Sequence, residues 1–190
     1  MVPCGRLSPM PSPCVFCNVP AATWSEEHVI PKWLLDHLHI SPQDQMFQGL
    51  AQADEVTKQR VHASRRLVEG RICASCNNGW MSRLEETARP LLVDLIDNKR
   101  AQWELSVQES ALLARWAVKT AYMLANVSLA GKPAPSDHLW QLSGDSGQIR
   151  NGVGVFGLQI AYDRTASFLQ TPSWPQVLQV GATPQTAAPA

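Results

Sequence analysis

Four cysteines in two closely spaced pairs are the residues of this chain best suited to chemistry. Cys14 and Cys17 form the first Cys-x-x-Cys pair, Cys73 and Cys76 form the second, and 55 residues lie between the pairs. Two residues between cysteines let both sulfurs reach one ion, and four thiolates complete a tetrahedral zinc site. Simple zinc ribbons place about 15–20 residues between the pairs, so this longer interval must hold further elements. We therefore predict a structural zinc that closes a small domain.

The remaining cysteine and the start of the chain bear on where the protein works. Cys4 lies in a leader that contains proline and glycine, and we expect it to be a free, exposed thiol. An odd number of cysteines, four of them in Cys-x-x-Cys pairs, favours metal binding over disulfides in a reducing compartment. Residues 1–10 lack the pattern of a signal peptide, and no stretch approaches the roughly 18 apolar residues that span a bilayer. These features predict a cytoplasmic protein without a membrane partner.

Glu27, His28 and Asn77 are the polar residues near the cysteine pairs that could carry out a reaction. Because Glu27 and His28 are adjacent, an extended backbone would point them apart, so that one can hold a metal ion while the other faces a substrate. A divalent ion at Glu27 would stabilise charge on a phosphate. His28 suits a general base, since the unperturbed pKa of histidine is about 6.5, and the Asn77 amide oxygen could complete the metal site. The same residues also fit structural roles, with Glu27 and Asn77 as helix caps and His28 as an ordinary surface or half-buried side chain.

The charge of the chain is balanced, with 16 Lys and Arg residues against 16 Asp and Glu residues. Proteins that grip many phosphates usually carry excess positive charge, so any contact with nucleic acid has to be local here. The stretch before the second Cys pair is the candidate, and its charged residues are Lys58, Arg60, Arg65, Arg66, Glu69 and Arg71. We predict that the four arginines border the face of His28 and contact a phosphate backbone. The alternative is a solvated surface without a partner.

The elements between the two Cys pairs are predicted from hydrophobic spacing and turn signals. Residues 32–39 follow a proline and have the spacing of a short amphipathic helix. Residues 41–57 are polar without a clear period, which predicts a long loop. Residues 58–68 are predicted to be extended and to run toward Cys73.

Helices are predicted to dominate after the second Cys pair. Apolar spacing predicts helical stretches from Asn77 to Asn98 with a bend at Pro90. Ser106-x-x-Glu109 is a capping box, and it opens the clearest helix of the chain, residues 107–127, whose apolar face we assign to the core.

The C-terminal third is predicted to contain loops and strands. Residues 131–152 are rich in proline and glycine and predict a loop. Residues 153–162 and 166–170 predict a β-hairpin, which residues 177–180 could join as a third strand. The final residues, 181–190, are predicted to be disordered.

The order of the motifs resembles that of zinc-containing His-Asn-His (HNH) endonucleases. The chain reads Cys-x-x-Cys, then Glu-His-Val-Ile-Pro, then Cys-x-x-Cys-Asn-Asn-Gly-Trp, within residues 14–90. The resemblance implies a ββα-metal motif, in which a β-hairpin and a helix hold a divalent ion such as Mg²⁺. It implies His28 as the general base, Glu27 and Asn77 as ligands of that ion, and structural zinc at the four paired cysteines. The middle Asn of the family has no match here, because Leu67 and Val68 occupy its region.

Together these features predict an α+β protein with a small zinc-stabilised ββα-metal domain, followed by α-helices and a C-terminal β-hairpin. The predicted ranges are a leader at 1–13, the zinc-bound nuclease domain at 14–98, the helical region with the hairpin at 99–180 and the tail at 181–190. The predicted function is a metal-dependent endonuclease that hydrolyses phosphodiester bonds of nucleic acid, DNA in particular. The alternative is a zinc-stabilised module that binds nucleic acid or another partner without cleavage, which the balanced charge and the unmatched middle Asn favour.

Overall fold

The structure is a computed structural model that describes residues 12–52, 55–100, 104–128, 134–144, 147–151, 153, 155, 167–169 and 179–181. Within these ranges the chain mixes helices with antiparallel two-stranded sheets, in agreement with the predicted α+β class. Cys4, most of the predicted leader and residues 182–190 of the predicted tail lie outside the described residues.

A strand pair followed by a helix forms the frame of the first half of the chain. Strand β1, Trp24–His28, pairs antiparallel with β4, Val68–Cys73, so that Trp24 lies opposite Cys73 and His28 lies opposite Val68. The register shifts between Ser25 and Glu27, as at a β-bulge. Directly after β4 the backbone turns helical, which brings the second Cys pair to the junction of sheet and helix.

The interval between β1 and β4 holds one helix and a second strand pair. Helix α1, Lys32–His37, agrees with the helix predicted after Pro31. Strand β2, Gln45–Gln52, then pairs antiparallel with β3, Glu55–Ala63, and a 3₁₀ turn, Ser64–Arg66, leads to β4.

The long loop predicted over residues 41–57 is therefore wrong, because most of this stretch lies in β2 and β3. The sequence Gln-Met-Phe-Gln-Gly-Leu-Ala-Gln of β2 lacks alternation of apolar and polar residues. The extended backbone of β2 is stabilised by hydrogen bonds to the neighbouring strand. The sequence of β2 alone does not reveal this pairing.

The helical region after β4 begins with a single turn, α2, Ala74–Cys76, and a wider π-helical turn, Asn77–Met81. Gly79 in this turn has non-helical angles, with φ of −98° and ψ of −109°. Helix α3, Ser82–Ile96, follows and includes Pro90, so the two stretches predicted on either side of this proline form one helix.

Helix α4 spans Val107–Val127, the same range that the capping signal predicts. The Ser106 Oγ accepts a hydrogen bond from the Glu109 N–H at 3.2 Å, and the Glu109 carboxylate accepts one from the Ser106 N–H at 2.8 Å. This reciprocal pair satisfies two backbone donors at the start of the helix.

A further helix, α5, Ser136–Ser143, lies inside the stretch 131–152 that was predicted as a loop. The prediction is wrong at these residues, because proline and glycine signal the ends of helices as well as loops. Pro135 and Gly144 instead flank the helix, positions at which both residues are common.

The C-terminal strands are β5, Ser167–Leu169, and β6, Gln179–Gly181, which pair antiparallel. They fall within or beside two of the three segments predicted as strands. Most of the third segment, residues 153–162, lies outside the described residues.

One cluster of buried side chains connects both halves of the chain. It includes Phe16 and Ile72 from the first half together with Met123 and Leu142 from helices α4 and α5. The division into domains at residue 98 stays a prediction. No helix among the described residues is both long enough and apolar enough to cross a membrane.

The capping box yields a stability prediction. Replacing Ser106 with Ala removes the side chain that accepts from the Glu109 N–H, and such losses typically cost about 1 kcal/mol of unfolding free energy. Urea unfolding of the zinc-loaded protein, followed by circular dichroism, measures this change. Ser110→Ala, one turn later in the same helix, is the matched control and should leave stability unchanged. Equal stability of the two variants would contradict a role for the cap.

Candidate metal centre and adjacent polar cluster

The first Cys pair lies in a tight turn that the backbone closes on itself. The Cys14 N–H donates to the Val19 carbonyl at 3.0 Å, and the Asn18 N–H donates to the Cys14 carbonyl at 2.9 Å. Asn18 has a left-handed backbone with φ of 57°, a conformation that asparagine adopts more readily than most residues. The turn thereby presents Cys14 and Cys17 toward the rest of the protein.

The second Cys pair lies where β4 passes into α2, and hydrogen bonds join it to the first turn. The Cys73 N–H donates to the Cys14 Sγ at 3.3 Å, and the Cys76 N–H donates to the Cys73 Sγ at 3.4 Å. The Val15 N–H also donates to the Arg71 carbonyl at 3.0 Å. These contacts hold the two turns side by side.

All four paired cysteines lie around one point. Their Sγ atoms are within 4.8 Å of one another, and the Cys17 and Cys73 sulfurs are 3.8 Å apart. Zinc–sulfur bonds of about 2.3 Å in a tetrahedron require sulfurs roughly 3.8 Å apart. The prediction that the sulfurs of the two Cys pairs surround one point is confirmed. The four cysteines can therefore hold a metal ion.

The thiols influence one another's protonation. The Cys76 side chain lowers the pKa of Cys14 to about 4, and the same contact raises the pKa of Cys76. Burial raises the pKa of Cys17. Four thiolates cannot all remain charged in so small a volume without a cation, so binding a metal ion here releases protons.

Glu27 and Asn77 lie together beside this centre. The Asn77 side chain donates to the Ser25 hydroxyl at 2.5 Å and lies close enough to the Glu27 carboxylate to influence it. The side chain of Glu27 is only 14% exposed, and this burial raises its pKa. The structure thus brings together two of the three residues predicted to be catalytic.

Glu27 also contacts a lysine from the second half of the chain. The Lys119 Nζ, on α4, is 3.3 Å from Glu27 Oε1 and 2.5 Å from Oε1 of Glu85 on α3. The Lys119 side chain is fully buried, and that of Glu85 is 18% exposed. Glu27 is therefore a member of a buried charged triad with Lys119 and Glu85.

His28 has different neighbours from Glu27. Its ring is half-buried, and the backbone of Arg65 and the Lys32 ammonium both lie close enough to influence it. Burial, followed by the Lys32 charge, lowers the pKa of His28. The predicted divergence of the two adjacent side chains agrees with these contacts, and the described contacts do not join His28 to Asn77.

Two of the four predicted nucleic-acid-binding arginines are held in ion pairs. Arg65 donates to Asp36, and Arg71 forms two bonds of 3.1 Å to the carboxylate of Glu69, which is 3% exposed. Glu69 raises the pKa of Arg71 in turn.

Arg60 and Arg66, the other two, are exposed, and the described part of the chain shows no ion pair for either. These two are therefore the better candidates for a phosphate contact. The backbone of Arg65 lies close to His28, and the face shared by the four arginines and His28 stays a prediction.

Sequence reasoning missed Lys119, Glu85 and the buried Glu69. A signal for Lys119 was present, because it stands three residues after Trp116 and four before Met123 on the apolar stripe of α4. A cation at such a position is rarely buried without a partner, and this pattern indicates a buried acidic group opposite. The partners themselves come from β1 and α3, and no local pattern connects them to α4.

Comparison of the chain with protein-family models, with curated proteins and with solved structures found no match.

The thiol centre yields a prediction about metal content and folding. We expect one zinc ion per chain, and Cys76→Ser should abolish its retention and unfold the domain. Structural zinc sites contribute about 10–16 kcal/mol in small peptides, which is comparable to the whole stability of about 5–15 kcal/mol of a domain. Elemental analysis and thermal unfolding measure both effects.

The control for this variant is Cys4→Ser, which removes the one cysteine outside the pairs. It should retain zinc and melt at the wild-type temperature. A Cys76→Ser protein with full zinc content and unchanged melting would contradict a four-thiolate site.

Proposed function

We propose that this protein is a zinc-stabilised, metal-dependent endonuclease that hydrolyses phosphodiester bonds, with DNA as its expected substrate. The observation that carries the proposal is the proximity of Asn77 to Glu27, since the Asn77 side chain donates to Ser25 on the strand that holds Glu27. These residues are far apart in sequence and yet meet beside the four-thiol centre, at the junction of the β1–β4 pair and the helix that follows. The order of strand, strand and helix supports the ββα-metal arrangement that the HNH resemblance implies.

Zinc at the four cysteines would have a structural role. Four thiolates complete its tetrahedron and leave no position for water or substrate, as in structural sites generally. Soft sulfur ligands also favour zinc over magnesium. The reaction therefore requires a second ion, held by other residues.

The oxygen atoms of Glu27 and Asn77 are suitable ligands for that second ion. Mg²⁺ prefers oxygen ligands and typically keeps several waters while binding one or two carboxylates, and when bound it would stabilise charge on the phosphate. Glu27 would bind it through its carboxylate, and Asn77 would bind it through its amide oxygen after a turn of the amide group, whose nitrogen donates to Ser25 in this structure. His28, at the end of the same strand, would take the proton of the attacking water at a ring nitrogen.

A binding module without cleavage is the second candidate. The ion pair between Lys119 and Glu27 favours it, because the carboxylate already has a cation beside it. The balanced net charge agrees with a partner that is contacted only locally.

Strand cleavage distinguishes the two candidates. His28→Ala should abolish nicking of plasmid DNA in Mg²⁺ or Mn²⁺, since loss of a positioned general base costs roughly 10²–10⁴ in rate. Zinc content and DNA binding should stay near wild type. Glu27→Ala should also abolish cleavage, with partial recovery at high metal concentration, and Asn77→Ala should have a milder defect because water can replace an amide ligand.

His37→Ala is the matched control, because His37 pairs with Asp97 and lies outside the proposed site. It should cleave at the wild-type rate. A His28→Ala protein that nicks as fast as this control would exclude His28 as the base. A wild-type protein that binds DNA and cuts nothing in any divalent metal would establish the second candidate.

The exposed arginines yield a prediction about binding. Arg60→Ala combined with Arg66→Ala should weaken affinity for many DNA sequences alike. The slope of the logarithm of the binding constant against the logarithm of the salt concentration should fall by about 1 for each lost phosphate contact. Arg83→Ala combined with Arg150→Ala removes the same charge from other elements and should have a smaller effect. Equal losses of DNA affinity in the two double variants would show that only the net charge of the protein matters. Unchanged affinity in the Arg60 and Arg66 double variant would exclude the phosphate contact.

A further inference from the structure

Lys119 is unusual because a cationic side chain is fully buried at the edge of the proposed active site. It and Glu69 are the two buried charged residues among those that the structure describes. Burying an ammonium group is costly unless carboxylates or other acceptors surround it. Glu27 and Glu85 supply two carboxylates, which gives the triad a net charge of −1 when all three groups are ionised.

The two contacts of Lys119 differ in length. Its Nζ lies 2.5 Å from Glu85 Oε1 and 3.3 Å from Glu27 Oε1. Glu85 is thus the closer partner, and Glu27 is the partner that can exchange one cation for another while Lys119 stays paired.

We propose that Lys119 is the resident counter-ion of Glu27, which orients this carboxylate and competes with the divalent ion for it, and that Glu85 anchors Lys119. The inference rests on the proposed function, because it assigns the divalent ion to Glu27. Lys119 belongs to α4, outside residues 14–90 that carry the family resemblance, so its role derives from the contacts alone.

This arrangement has opposite consequences for the two partners. Without the Lys119 ammonium, the Glu27 carboxylate has no competing cation, and a divalent ion should bind more tightly. Without the Glu85 charge, Lys119 has only Glu27 as an ionic partner, and a divalent ion should bind more weakly. Part of the effect of Glu85 acts through Lys119, so the effect of Glu85 on the affinity for the ion should become clearly smaller when Lys119 is absent.

The test is a titration of zinc-loaded protein with Mn²⁺, in which electron paramagnetic resonance measures the free ion. Lys119→Met should tighten Mn²⁺ binding at least roughly tenfold, because like charges a few ångströms apart interact strongly at a partly buried site. Glu85→Gln should weaken binding in the wild-type background and weaken it by a clearly smaller factor in the Lys119→Met background. Glu27→Gln should remove the site in both. Lys99→Met, which removes an exposed lysine paired with Asp97, is the control and should leave the affinity unchanged.

A double variant keeps the proposal testable if Lys119→Met alone does not fold. Lys119→Met alone leaves two buried carboxylates without a cation, whereas Lys119→Met with Glu85→Gln removes one charge of each sign. Zinc content and circular dichroism show whether the single variant folds. If it does not, the Mn²⁺ affinity of the double variant tests the proposal. Binding of Mn²⁺ tighter than wild type supports the proposal, and equal or weaker binding overturns it.

Other outcomes separate this inference from the nuclease proposal. Unchanged or weaker Mn²⁺ binding by folded Lys119→Met overturns the counter-ion role, while cleavage that depends on His28 would still establish the nuclease. An equally large Glu85→Gln effect in both backgrounds would make Glu85 a ligand of the ion and overturn its role as the anchor. The variants could show the predicted order of Mn²⁺ affinities while the protein cuts no nucleic acid. This result would support the counter-ion role of Lys119 and exclude the nuclease proposal. Absence of Mn²⁺ binding in every protein would overturn the counter-ion inference.

Discussion

The meeting of four thiols at one point is the constraint on which the rest of the structure depends. Cys14 and Cys17 lie in a turn near the start of the described chain, while Cys73 and Cys76 lie beyond an interval that holds a helix and a strand pair. The entropic cost of closing a loop grows only slowly with its length, so a metal ion can join the two turns despite the long interval. The β1–β4 pair lies beside the two turns and places Glu27 and His28 at the end of a strand.

The polar cluster beside the thiols shows that the second half of the chain contributes to the same region. Lys119 comes from α4 and Glu85 from α3, and both pair within the cluster that contains Glu27. A buried ion triad is weak evidence for stability, because desolvation offsets much of the attraction between the charges. Its presence therefore favours the proposed role of Lys119, in which the ammonium orients the Glu27 carboxylate and offsets part of the rise in pKa that burial causes.

The parts of the fold that were predictable have strong local signals. The Ser106–Glu109 capping box gives the start of α4, the apolar spacing gives its length, and the Cys-x-x-Cys spacing indicates the thiol centre. Strand β2 was missed because its sequence lacks alternation, and its conformation depends on pairing with β3. Helix α5 was missed because Pro135 and Gly144 are equally common at loops and at helix ends.

The site was predictable only where its residues adjoin a motif. Glu27, His28 and Asn77 are predicted from their positions near the Cys pairs, and their catalytic role stays a prediction, whereas the contact of Glu85 with Lys119 depends on how α3 packs against α4. The ion pairs of Arg65 and Arg71 are likewise tertiary, and a count of charges along the chain cannot separate them from the exposed Arg60 and Arg66.

The central claim is that a single zinc ion, bound by both Cys pairs, holds the two turns together. X-ray absorption spectroscopy at the zinc edge on the purified protein tests it most directly. The account predicts a single shell of four sulfur atoms at about 2.3 Å. A shell that contains nitrogen or oxygen ligands, or fewer than four sulfurs, would contradict it.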